Sequence, residues 1–322
     1  MSPHFIQLYQ HNAAAVAQEL LQGLSAQQAY TSPKYLYDAL GSRLFEAITE
    51  LPEYDLTRTE AQLMQLHSAS MAAQLPRGAC WIDLGAGNCE KAGRLLGPMG
   101  AGRYVAVDIS VDFVRQALDV LQRHHPGLPM AGLGVDFSGG LQIPADLAID
   151  PAQPRVLFYP GSSIGNFTPE QALDFLRNLH AGCGSAAGSG LLIGVDLLKD
   201  PAELEAAYDD ALGVTAAFNL NLLLHINRLV GSNFAVRDWR HLSRFNAPLS
   251  RVEMHLQARH AVTVQWPGGQ RQFAAGETIH TENACKWTVP DFADLLRSAG
   301  FAQSQTWTDP AQRFAVFWTP AH

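Results

Sequence analysis

Eleven residues, Trp81-Ile82-Asp83-Leu84-Gly85-Ala86-Gly87-Asn88-Cys89-Glu90-Lys91, carry the clearest chemical signal in the chain. They read as a buried strand, a tight glycine turn and a helix start. A second apolar run ending in an acid, Tyr104-Val105-Ala106-Val107-Asp108, follows after about 20 residues, the outline of a nucleotide-binding βαβ unit. Gly85 turns the chain, Gly87 lets a ligand approach the backbone, and Asp108 can take two ribose hydroxyls. The third fingerprint position holds Glu90 rather than glycine, so a pyrophosphate fits less well than a nucleoside ligand without phosphates. S-adenosylmethionine, with its adenosine and amino-acid tail, is such a ligand. Positive charge at a helix N-terminus is unfavourable by itself, which makes a ligand carboxylate a sensible partner for Lys91.

The elements that would position these residues alternate. Strands are expected at 79–84, 103–108, 131–136, 155–160 and 190–196, with helices at 90–97, 111–124 and 169–181. Such alternation implies a mostly parallel sheet covered by helices on both faces, with ligands at the carboxyl ends of the strands. Past those ends lie Asp136-Phe137, a carboxylate and an aromatic wall suited to adenine, and Gly161-Ser162-Ser163-Ile164-Gly165-Asn166, a loop whose amides and hydroxyls suit a small polar substrate. No Gly-x-Ser-x-Gly elbow is present, which argues against a serine hydrolase.

The flanks differ. Residues 11–30 read as one amphipathic helix, Ser32–Asp38 as a helix start, 41–48 as helix, and Thr57 with Glu60 stand at capping-box spacing. Beyond 200, residues 203–233 look helical and 251–264 alternate like a strand. Trp266-Pro267-Gly268-Gly269 is a hairpin turn, a strand begins at Glu277, a short helix spans 291–300, and Phe314–Trp318 closes as a strand.

Composition bounds the function. The 322 residues are 47% hydrophobic and 16% charged, as in a globular enzyme. A net charge of −8 without a Lys/Arg cluster argues against nucleic acid. No apolar run reaches the roughly 18 residues of a membrane span, and the Met1-Ser2-Pro3-His4 start shows no secretory signal. Cys80, Cys89, Cys183 and Cys285 lack paired spacing and read as free thiols of a cytoplasmic protein. Twelve scattered histidines show no ligand spacing, so no metal is expected. No uncovered apolar stripe is visible, so a monomer is expected.

Several motifs occur together: Tyr37-Asp38-Ala39 with Gly41-Ser42, Leu51-Pro52-Glu53-Tyr54 with Thr57-Arg58-Thr59-Glu60, Gly161–Asn166, and His280-Thr281-Glu282-Asn283. In these the chain resembles the L-histidine Nα-methyltransferases of ergothioneine biosynthesis, from about Lys34 to Trp318. The resemblance implies an α/β fold: a Rossmann-like S-adenosylmethionine-dependent methyltransferase core plus a discontinuous α+β substrate-binding domain. The expected division is 1–75 and 199–285 for the substrate domain, 76–198 and 286–322 for the core. It implies three methylations of the histidine α-amino group, giving the betaine hercynine. Gly85, Gly87, Lys91, Asp108, Asp136 and Phe137 then match cofactor positions. Tyr54, Gly161, Ser163, Asn166, Tyr208, Met254 and Glu282 match substrate positions, and Tyr37 lines the same cavity. Tyr37, Asn166 and Tyr208 are the expected catalytic groups. The family pattern continues Thr-Glu-x-Ser, whereas this chain has Ala284. Another amino acid or a modified histidine is compatible with that change. Two other classes stay open: a nicotinamide-dependent oxidoreductase and a non-catalytic betaine-binding protein.

Overall fold

The computed structural model describes residues 3–8, 12–137, 139–147 and 149–322. In chain order its strands are β1 (His4–Gln7), β2 (Ala29–Tyr30), β3 (Cys80–Leu84), β4 (Arg103–Asp108), β5 (Met130–Gly134), β6 (Arg155–Tyr159) and β7 (Gly190–Asp196). There follow β8 (Trp239–Asn246), β9 (Arg251–Ala258), β10 (Val262–Trp266), β11 (Gly269–Phe273), β12 (Thr278–Cys285), β13 (Gln305–Thr308) and β14 (Phe314–Pro320). The helices are α1 (Ala13–Ser25), α2 (Ala39–Thr49), α3 (Leu56–Leu66), α4 (Ser68–Gln74) and α5 (Glu90–Leu96). After them come α6 (Val111–His124), α7 (Pro169–Gly182), α8 (Pro201–Tyr208), α9 (Val214–Val230) and α10 (Val289–Ser298). Two compact units result, Met1–Gln10 with Leu56–Leu198 and Trp287–His322, and His11–Asp55 with Lys199–Lys286.

The first unit is built on an eight-stranded sheet of order β1-β5-β4-β3-β6-β7-β14-β13. Strands β3, β5 and β7 are buried at every position, the mark of a sheet covered on both faces and hence able to run parallel. The first six strands in that order are parallel, and β14 lies antiparallel to β7. This is the expected Rossmann-like methyltransferase sheet. Its strand order reverses at β3, so the crevice for a ligand opens at the carboxyl ends beside β3. Helix α7 starts on a capping box, Thr168 with Gln171, and Pro169 in the first turn. Strand β1 was invisible to periodicity because four residues carry no period. It pairs with β5, and Gly132 leaves the space that the Phe5 ring needs, since a Cβ there would lie 2.3 Å from that ring.

The second unit holds a four-stranded sheet of order β2-β12-β9-β8, with the β10–β11 hairpin beside it in sequence. Helix α9 packs on β8 and β9 and against α1 and α2. Between His280 and Glu282 the β12–β9 register shifts, so His280 faces His255 while Glu282 faces Met254 and Ala284 faces Val252. Thr281 is the extra residue of this β-bulge, and its hydroxyl donates to the Met254 carbonyl at 3.0 Å. Directly opposed residues share a sheet face. The bulge therefore puts Glu282 and Ala284 on the face of Met254 and Val252.

Several boundaries depart from the expectations. The helix expected over 11–30 ends at Ser25, and β2 follows; Gly23 permits the close return, since a Cβ there would lie 2.5 Å from the Tyr30 carbonyl oxygen. His11 and the Met1-Ser2 start lie outside the described residues. The segment Pro33–Leu36 is a short 3-10 turn. The helix expected over 203–233 is two helices, because Asp210 accepts from the Val214 and Thr215 amides and starts α9 afresh. The strand expected over 251–264 turns after Ala258. Strand β5 ends at Gly134, two residues early, which leaves Asp136 and Phe137 in the loop. Helix α3 packs on β14, so residues from Leu56 lie with the first unit although 1–75 was expected to hold together.

Candidate active site

In the first unit Gly85, Gly87, Asp108 and Phe137 gather at the crevice beside β3, and Lys91 lies in the first turn of α5 just after it. Gly85 and Gly87 have φ of +73° and +52°, the left-handed region that glycine enters freely. A Cβ on Gly85 would meet only Phe137, at 3.9 Å, so space stands open over the turn with an aromatic ring at its edge. Asp108 ends β4, where its carboxylate accepts from the Gly87 amide at 3.0 Å and the Ser110 amide at 2.8 Å. Burial raises its pKa and the amides oppose that rise. Asp83 is also buried; Tyr104 donates to it at 2.7 Å, and burial pushes it up to about 7. Phe137 lies edge-on to Tyr159. A fixed carboxylate, an aromatic wall and a lysine at a helix start suit a nucleoside with an amino-acid tail.

Lys91 has a protein partner that was not anticipated. Its ammonium pairs with the Glu60 carboxylate at 2.7 Å. Glu60 also accepts from the Gly161 amide at 2.7 Å, so it does not close a capping box with Thr57. Gly161 has φ +75° and Ser162 φ +56°. The Ser162 hydroxyl accepts from the Asp196 amide at 2.9 Å, which pins the loop to the end of β7. Ser163 and Asn166 bound a short 3-10 turn in the same loop. The Gly161 amide, expected to grip substrate, is thus committed to Glu60.

The second unit gathers the other expected substrate positions into two adjoining groups. One is aromatic. Tyr37 lies edge-on to Phe45 and Phe218, each at 5.5 Å between ring centroids, and Phe45 leads to Tyr54 and on to Tyr208 at 6.0 Å. The other is the β9–β12 face with Met254, Glu282 and Ala284. Ala284, Val252 and Leu204 form a small apolar cluster against which Tyr208 packs. Glu282 is buried, and burial pushes its carboxyl up to about 8 while Lys286 opposes that rise. Lys286 is itself 4% exposed and donates to the Tyr208 hydroxyl at 3.1 Å. It links the two groups, and sequence reading missed it. Lys286 lies just past the end of β12, four residues after Glu282, where no local pattern marks it.

The other face of this sheet is occupied by an ion cluster. Glu253 accepts from Arg244, Asn246, Arg251 and His255, and these donors hold it down at about 2 against burial. His255 is lowered to about 4, by burial first and then by His280 beside it. Among the described residues no group of three His, Cys, Asp or Glu side chains is placed to hold a metal ion. The four cysteines are buried, and none of them forms a disulfide. None of the described helices is long and apolar enough to cross a membrane.

The chain is 37% identical over 310 residues to a histidine N-alpha-methyltransferase of Mycolicibacterium smegmatis, covering 94% of each. It is 36% identical over 309 residues to the Mycobacterium tuberculosis protein of that name, again covering 94% of each. It is 31% identical over 280 residues to ergothioneine biosynthesis protein 1 of Neurospora crassa, covering 85% of this chain and 31% of that longer one. The sequence model of the family described as "Histidine-specific methyltransferase, SAM-dependent" matches residues 16–321. The chain is therefore an S-adenosylmethionine-dependent methyltransferase and belongs to the histidine-specific methyltransferase family.

Proposed function

We propose that this enzyme methylates the α-amino group of L-histidine, up to the trimethyl betaine hercynine. The observation that carries the substrate reading is Glu282: a buried carboxyl beside Met254 and Ala284 on one sheet face, of the size and polarity to accept an imidazole N–H. When bound, S-adenosylmethionine supplies an electrophilic methyl on a sulfonium. Asp108 would hold its ribose hydroxyls, Asp136 and Phe137 its adenine, and Lys91 its amino-acid carboxylate. Gly85 and Gly87 clear the approach.

The chain's own task is to present a nitrogen lone pair. An α-ammonium has none, and its ordinary pKa near 8 leaves a usable neutral fraction that a dry site enlarges. Asn166 orients the nitrogen, and Ser163 steadies the amino acid. Holding a near-attack geometry is worth up to about 7–11 kcal/mol, so no strong base is needed. Tyr37 and Tyr208 assist proton loss, and with Tyr54 their ring faces hold the growing ammonium cation. Lys286 donates to Tyr208, which turns the hydroxyl hydrogen away from Lys286. We take the enzyme to work as a cytoplasmic monomer on a free amino acid; four buried cysteines without a disulfide suit a reducing compartment.

The test offers purified protein and S-adenosylmethionine a panel of free amino acids that includes histidine, tryptophan and modified histidines. Mass spectrometry should find a gain of three methyl groups on histidine. Ala284 favours one second reading, the same chemistry on another amino acid or a modified histidine. Methylation of such a compound alone, with histidine untouched, would replace the first reading with the second.

A further inference from the structure

We infer that Glu60 is a positioning residue that couples donor binding at Lys91 to the order of the substrate loop at Gly161–Asn166. The inference rests on the roles just proposed for Lys91 and that loop. Glu60 stands on α3, far in sequence from both partners, and is 1% exposed. Its two oxygens are divided between them: Oε2 takes the Lys91 ammonium at 2.7 Å, and Oε1 takes the Gly161 amide at 2.7 Å. Neither bond serves α3 itself. A further residue makes room for the arrangement. On β7, a Cβ at Gly194 would lie 2.3 Å from Glu60 Oε1, so the carboxylate occupies space that any other residue type would fill. At Gly161 a Cβ would lie 2.8 Å from Lys91 Nζ, so the loop backbone runs close against the ammonium.

Physical chemistry turns this geometry into coupling. A carboxylate away from water shares its charge among its donors, so a donor drawn toward a second anion leaves more of that charge to the other. The Lys91 side chain is 35% exposed against 1% for Glu60; its ammonium therefore has a side that an incoming carboxylate can reach. A ligand carboxylate there draws on the same ammonium, loosens its hold on Oε2 and leaves more of the Glu60 charge on the Gly161 amide. That bond fixes a loop whose backbone is left-handed at two successive residues. Donor binding thereby tightens the loop for the amino acid, and by linkage amino-acid binding tightens the donor by the same factor.

Calorimetry with S-adenosylhomocysteine and histidine, each titrated with and without the other, reads this factor directly. Wild-type protein should show mutual tightening of about fivefold or more, within the usual range for coupled sites. Glu60→Gln keeps an acceptor for the Gly161 amide and removes the charge shared with Lys91. Gly194→Ala keeps that charge and forces the carboxylate off the amide. In both variants the mutual factor should fall below about twofold while each ligand still binds. The same factor in both variants as in wild type, even with both affinities weakened together, would overturn the inference and leave Glu60 merely structural. Should Glu60→Gln not fold, Gly194→Ala decides alone. Wild-type protein that binds S-adenosylhomocysteine but not histidine would overturn the substrate reading, and this inference with it, before any variant is made.

Discussion

Replacing Glu282 with glutamine should change how stability depends on pH, by an amount that follows from its burial. The carboxyl's ordinary value of 4.5 is raised to about 8 in the folded chain. The folded state therefore keeps a proton that the unfolded state gives up above 4.5. Stability from this group is present in full below pH 4.5 and is lost as pH rises through about 8. At about 1.4 kcal/mol per tenfold change in proton affinity, the span corresponds to a ceiling of about 5 kcal/mol; water entering around the charge lowers what is realised. Glutamine has nearly the same shape and cannot ionise. Urea unfolding of both proteins from pH 5 to 9 should show nearly equal stability at the acid end and a growing deficit of the wild type, about 2–5 kcal/mol by pH 9. Histidine in the buffer should flatten the wild-type profile, because an imidazole N–H donating to the carboxylate offsets its burial. A difference that stays constant across the range would refute the reasoning, since it would mean that Glu282 ionises as an exposed carboxylate does.

Three other outcomes are expected. Ala284→Ser returns the hydroxyl of the family pattern and should lower the histidine KM by about three- to tenfold, the worth of roughly one hydrogen bond; an unchanged KM would show that the substrate ring does not reach this position. Lys286→Met removes the donor to Tyr208 and the cation that opposes the Glu282 rise, so kcat/KM should fall about tenfold or more while the Glu282 carboxyl moves further up; full activity would exclude Lys286 from the site. Asn166→Ala should cut kcat/KM about a hundredfold with the S-adenosylhomocysteine Kd within about twofold of wild type; an equal loss of cofactor affinity would make Asn166 a structural residue.

The first unit was legible in the sequence because its signals are local. An apolar strand, a glycine turn and an acid at the next strand end are each set within about ten residues, and the structure brings Gly85, Gly87, Asp108 and Phe137 to one crevice. The second unit was read less well. The break between α8 and α9 depends on one side chain, Asp210, capping a helix that the apolar pattern runs straight into. Glu60 was misread because its partners lie 31 and 101 residues away, and capping-box spacing offered a nearer explanation. Lys286 escaped notice since nothing local says that its ammonium is buried against a tyrosine. Family motifs point to Tyr54, Tyr208 and Glu282, but not to what surrounds them.

The bulge at Thr281 gives β12 something like a reading frame. Upstream of it, His280 lies opposite His255 in the ion-cluster register; downstream, Glu282 and Ala284 lie opposite Met254 and Val252. A regular ladder with Thr281 inside it would set Thr281 opposite Met254 and Glu282 opposite Glu253, bringing two like charges together on the ion-cluster face. Point substitutions at 282 or 284 leave the frame intact. Such a strand can drift in what it recognises one side chain at a time, as long as the bulge keeps its downstream half on the face of Met254. Preference for a different amino acid would then be inherited through spelling changes at a few downstream positions, with the fold's punctuation at Thr281 held constant.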